Sequence, residues 1–133
     1  MTINIDQNAR LLLVGQNEAE TRSLADALAA DYSISAAPGI QEAVKRLQKT
    51  AFSVIIFDLA DDGSDLVSSI ESLQEYAPGT PIIVIGHQHD SQLIVRAVKA
   101  GAFDFVTKPY PPEKIKLSAH QALEHRSLKN EID

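Results

Sequence analysis

Cysteine is absent from the 133 residues, which excludes disulfides, thiolate catalysis and cysteine-ligated metal and is compatible with the cytoplasm. No apolar stretch approaches the roughly 18 residues that a membrane span needs. Residues 1–10 are polar and hold no apolar signal segment. Positive charge is scarce: 12 Lys and Arg stand against 18 Asp and Glu, a net charge of −6. Such a segment is a poor partner for nucleic acid or an anionic membrane. There is no internal repeat and no low-complexity tract. Gly15 follows an apolar run, but no further glycine follows it at the spacing of a dinucleotide or Walker-type phosphate loop.

What the chain does contain is enough apolar material for one core, 44% hydrophobic against 23% charged. Arg10-Leu11-Leu12-Leu13-Val14 reads as a buried strand stopping at Gly15. Asn17, with Glu20 three residues on, reads as an N-cap and its capping-box partner. The helix behind them carries Leu24, Ala27 and Leu28 on one face and runs to near Asp31. Tyr32-Ser33-Ile34-Ser35-Ala36 alternates like an edge strand. After Pro38-Gly39, Ile40, Ala43, Val44 and Leu47 recur at helical spacing.

Ser53-Val54-Ile55-Ile56-Phe57-Asp58 is the third strand, Asp61-Asp62-Gly63-Ser64 a polar loop, and Leu66, Ile70 and Leu73 mark the third helix. Ile82-Ile83-Val84-Ile85 is the fourth strand, with Gly86 to His89 as its loop. Asp90 caps a fourth helix that buries Ile94, Ala97 and Val98 and ends at Gly101. Phe103 to Val106 is the fifth strand, and from Glu113 the last helix carries Ile115, Ala119, Ala122 and Leu123 on one stripe. Five such alternations predict an α/β, doubly wound, five-stranded parallel sheet in the order 2-1-3-4-5 with helices on both faces.

Two pieces of this pattern belong together. The third strand ends in Asp58, and Phe103-Asp104-Phe105-Val106-Thr107-Lys108-Pro109 ends in Lys108. Neither charge can enter a core alone without a heavy desolvation cost. If the strands are parallel neighbours in one sheet, both charges emerge at its carboxyl edge, where open α/β sheets place their ligand sites.

Asp58, Asp65 seven residues later, Gly101-Ala102 and Lys108-Pro109, with this element order, resemble the receiver domains of bacterial two-component response regulators over about residues 10–124. The resemblance implies a flavodoxin-like receiver fold in which Asp58 is the phosphoacceptor and Lys108 pairs with the phosphoryl group. It implies an acidic pair after strand 1 that helps hold Mg²⁺, and a Ser or Thr ending strand 4 that hydrogen-bonds the phosphoryl. It makes Phe105 a rotamer switch and the Lys108–Pro109 bond cis. It also implies a homodimer through the face of the fourth helix, fifth strand and last helix, where Arg96, Lys99 and Asp104 stand.

The sequence departs from that pattern at Gly15 and Gln16, which replace the acidic pair, at Gly86, which replaces the hydroxyl, and at Asp62, where a proline is usual. Mg²⁺ prefers hard, charged oxygens, so no cofactor is expected; among the site positions Asp58 alone is left as a weak Mg²⁺ ligand. The leading expectation is therefore an atypical receiver without enzyme activity, its Asp58–Lys108 pair a strut between strands, acting through protein contacts. The alternative is a conventional phosphoacceptor, phosphorylated on Asp58, with Asn17, Glu18 or Asp61 supplying metal contacts. A small-molecule enzyme has only the edge cleft in its favour, for no nucleophile–base pair is evident. His87-Gln88-His89-Asp90 reads as a solvated loop rather than a metal site, and Phe105 as core beneath the fourth helix.

Residues 1–9 read as a flexible N-terminus, 10–124 as the domain and 125–133 as the start of a helical linker. Leu128 and Ile132 continue the helical pattern past the core, implying a partner helix. This stretch resembles the linker of sigma-54-dependent activators. That resemblance implies a cytoplasmic transcription regulator with its output domain in the same longer chain and a sensor histidine kinase as upstream partner.

Overall fold

The computed structural model describes residues 9–59, 65–87 and 91–132, with side chains to residue 125. The expected 61–64 loop, the Asp90 cap, His89, residues 1–8 and the side chains of Leu128 and Ile132 lie outside the described residues. In chain order the elements are β1 (Arg10–Val14), α1 (Glu18–Leu28), β2 (Ser33–Ala37), α2 (Ile40–Lys49), β3 (Val54–Asp58), α3 (Leu66–Tyr76), β4 (Ile82–His87), α4 (Ser91–Ala100), β5 (Asp104–Lys108) and α5 (Pro112–Ile132). The sheet order is β2-β1-β3-β4-β5 and every pairing is parallel, as the alternation predicts.

Unbroken apolar strands follow from burial on both faces. Leu12, Val14, Ile55, Phe57, Ile82 and Val84 pack against α2, α3 and α4. Their neighbours Leu11, Leu13, Val54, Ile56, Ile83, Ile85 and Val106 pack against α1 and α5. Both clusters alternate along the same strands, so the sheet is the middle of three layers.

Several boundaries differ from the sequence reading. Gly86 and His87 are not loop residues: they extend β4 and pair with Thr107 and Lys108 of β5. Ladder hydrogen bonds continue while a partner strand continues, which outweighs the poor strand preference of glycine. Helix α4 buries Leu93 and Ala97, whereas Val98, expected inside, is 57% exposed. Leu93 and Ala97 of α4 are buried and Ala100 packs at the margin of the core, so Val95 and Val98 stay on the surface. Helix α1 stops at Leu28, before Asp31, and Ala9 is already buried with its carbonyl accepting from the Ser33 N–H. Among the described residues no helix is long and apolar enough to cross a membrane.

Gly101 closes α4 with φ of +113°, a conformation that side chains disfavour. Gly101→Ala should therefore lower stability by about 1–2 kcal/mol in urea unfolding. A variant as stable as the parent would show that the turn relaxes at no cost.

Candidate functional site

Asp58 ends β3 and Lys108 ends β5, and β4 lies between them rather than the two strands being neighbours. Asp58 is level with Ile85 and Lys108 with His87, so the lysine starts two residues farther out. At about 4.8 Å per strand the two backbones stand roughly 10 Å apart, a gap that the long lysine side chain and the Asp58 side chain close together. Lys108 Nζ stands 2.9 Å from Asp58 Oδ1, with the two side chains only 18% and 10% exposed. Both groups are largely desolvated, so the contact keeps either charge from being buried alone.

A third charge joins them. Lys108 Nζ also donates to Glu20 Oε2 at 3.2 Å. The sequence reading assigns Glu20 to the capping box, and half of that box forms: Asn17 Oδ1 accepts from the Glu20 N–H at 3.0 Å. The Glu20 carboxylate points to the lysine instead. The signal for this role was present, because the first turn of α1 must stand above the carboxyl edge where Lys108 emerges.

Burial, and then two carboxylates sharing one ammonium, set the titration of the group. Burial pushes the Asp58 carboxyl above its ordinary 3.8; Lys108 pulls it back only in part, and Glu20 adds repulsion. Burial alone would pull the Lys108 ammonium down, but the Asp58 and Glu20 carboxylates outweigh it and hold it above 10.5. Burial and then the Asp58 charge likewise raise the Tyr110 phenol.

The glycines of the site are closed by their surroundings. A Cβ on Gly15 would lie 2.7 Å from Thr21 Oγ1 and 3.4 Å from Asp58 Cβ. A Cβ on Gly86 would lie 2.7 Å from Phe105 Cζ and 3.2 Å from Leu59 Cδ1. Phe105 is half-buried against the cluster holding Leu93 and Ala97 of α4, and its ring covers the vacant face of Gly86. Gln16, beside Gly15, is exposed and neutral. Among the described residues no group of three His, Cys, Asp or Glu side chains is placed to hold a metal ion. The Lys108–Pro109 bond is cis.

Other candidates fall elsewhere. Arg96 and Lys99 are exposed on α4. Asp104 is spent within the chain: Oδ2 accepts from Ser118 Oγ at 2.7 Å, tying β5 to α5, and Oδ1 accepts from the Phe105 N–H at 2.8 Å. Between α2 and α3 a cleft opens onto Gly15, Asp58, Lys45 and the serines Ser68, Ser69 and Ser72.

The response regulator receiver domain family matches residues 11–120. The alginate biosynthesis transcriptional regulatory protein AlgB of Pseudomonas aeruginosa is 28% identical over 132 residues, covering 96% of this chain and 29% of that protein. The C4-dicarboxylate transport transcriptional regulatory protein DctD of Rhizobium meliloti is 28% identical over 99 residues, covering 74% of this chain and 22% of that protein. The chain thus spans under a third of these curated relatives. The CheY-like response regulator receiver domain protein of Methanospirillum hungatei superposes with a TM-score of 0.82 at 20% identity, covering 91% of this chain and 98% of that one. At that identity the likeness speaks for the fold.

Because folding raises the Asp58 pKa, the stability associated with its protonated form is present below pH 3.8 and is lost as pH rises through the folded value. Lys108 contributes stability that is full below pH 10.5 and is lost as pH climbs through its higher folded value. A carbon NMR titration of Asp58 should give a midpoint above 3.8, and one higher still in Lys108→Met; a lower midpoint in either would contradict the pairing described. Gly86→Ser should cost about 1–3 kcal/mol through overpacking and shift the Phe105 ring resonances in NMR spectra. An unmoved ring at full stability would refute that packing.

Proposed function

We propose, from the premise that the chain belongs to the response regulator receiver domain family, that it is a regulatory module working by protein contact rather than by phosphorylation of Asp58. The observation that carries this reading is that, among the described residues, the partners a phosphoryl group would need are missing or engaged. Gly15 and Gln16 offer no carboxylate, and Gly86 offers no hydroxyl. Lys108 is already held by Asp58 and Glu20. Phosphoryl transfer relies on positioning and charge neutralisation, with Mg²⁺ held by hard oxygens. The described residues do not fit that ion.

Function then falls to the surface of α4, β5 and α5. Val95 and Val98 on α4 and Leu117 on α5 are 50%, 57% and 56% exposed, large for apolar residues. With Arg96 and Lys99 beside them they suit a homodimer or a contact with an output domain in the same longer chain. The relatives named as transcriptional regulators support a transcriptional output, and its sigma-54-dependent kind rests on the resemblance of the C-terminal stretch to such linkers. The retained Asp58 and Lys108 favour the second reading, a conventional phosphoacceptor served by a sensor histidine kinase.

Incubation with acetyl phosphate and millimolar Mg²⁺, followed by intact-mass measurement, should leave Asp58 without a phosphoryl adduct at ordinary reaction times. A stoichiometric adduct lost in Asp58→Asn would establish the second reading instead. Val98→Asp should keep stability within about 0.5 kcal/mol, as exposed positions do. It should weaken association, by sedimentation, about tenfold; unchanged association would remove this face from the account.

A further inference from the structure

Among the described residues, Glu20 is a charged side chain in contact with Lys108 that the phosphoacceptor pattern does not use. Its carboxylate comes from the first turn of α1, across the sheet edge from β5, and meets Lys108 Nζ at 3.2 Å. Asp58 holds the same ammonium at 2.9 Å from the buried side, with 10% of its own side chain exposed, whereas the Glu20 side chain is 51% exposed. Lys108 therefore has one partner beneath it and one facing solvent. An anion arriving from solution meets Glu20 first.

We propose that Glu20 is a built-in counter-anion that occupies the solvent-facing side of Lys108 and withholds the ammonium from incoming anions such as phosphate. The inference deepens the reading of Asp58 and Lys108 as an ion pair standing apart from phosphoryl chemistry, and it rests on that reading. The charges support it. Asp58, Glu20 and Lys108 together carry a net −1, so the group repels an anion as it stands. With Glu20 neutral, the Asp58–Lys108 pair is balanced and the outer face of the ammonium is open. Glu18, two residues earlier, provides a natural control because its carboxylate pairs with Arg22 at 3.4 Å instead.

The test compares the full chain with Glu20→Gln and Glu18→Gln in two measurements. The first is the rate of acetic anhydride labelling of Lys108, referenced to the exposed Lys99 in the same sample. The second is a titration with inorganic phosphate followed by NMR at the Lys108 side chain. Glu20→Gln should speed labelling and tighten phosphate binding by about 1.5- to fivefold, the range for a partly exposed ion pair; Glu18→Gln should match wild type. Either quantity unchanged in Glu20→Gln, or an equal change in Glu18→Gln, would overturn the proposal. Phosphorylation of the wild-type chain on Asp58 would count against the contact-only reading while leaving this ratio to be judged separately.

Discussion

A buried carboxylate on a central strand governs the carboxyl edge of this sheet. Asp58 ends an otherwise wholly apolar strand, and its side chain is only 10% exposed. Leaving such a charge unpaired costs about 3–5 kcal/mol, comparable with much of a small domain's stability. Lys108 answers it from two strands away. The lysine in turn takes a second carboxylate from α1, so strands β3 and β5 and helix α1 are held through one ammonium. The arrangement supplies structure directly and chemistry only if one of its members lets go.

Side-chain volume reinforces the electrostatics. A carboxylate at position 15 would have to displace the Thr21 hydroxyl, and a hydroxyl at position 86 would have to displace the Phe105 ring. Neither is a matter of adding a group to open space. Phe105 covers Gly86 much as aromatic residues compensate glycine in neighbouring strands, which also explains how a glycine is tolerated inside β4. Packing and charge thus favour the same conclusion from independent directions. On our reading, these positions adapt the receiver scaffold to a role in which the surface of α4, β5 and α5 carries the signal.

Much of this was legible in the residues themselves. The alternation of apolar runs and helical periodicity foretold the element order, and the edge character of strand 2 with the doubly wound pattern foretold the sheet order. The Asp58–Lys108 pairing could be inferred because two lone charges at the ends of apolar strands have few other solutions. Pairwise register was harder: Gly86 and His87 look like a loop until β5 is seen to continue beside them. The orientation of α4 was also hidden, since Val95, Val98 and Leu93 are equally apolar and only packing decides which one faces the core. Glu20 was misjudged for a related reason. A local motif explained it well enough, while its actual partner lies 88 residues away.

The central claim is that the edge around Asp58 no longer serves a divalent cation, and Mg²⁺ titration of the metal-free protein tests it most directly. Nuclear magnetic resonance spectra of the Asp58 and Lys108 side chains should show no saturable change up to tens of millimolar Mg²⁺. A saturating shift at Asp58 in the low-millimolar range or below, abolished in Asp58→Asn, would contradict the account.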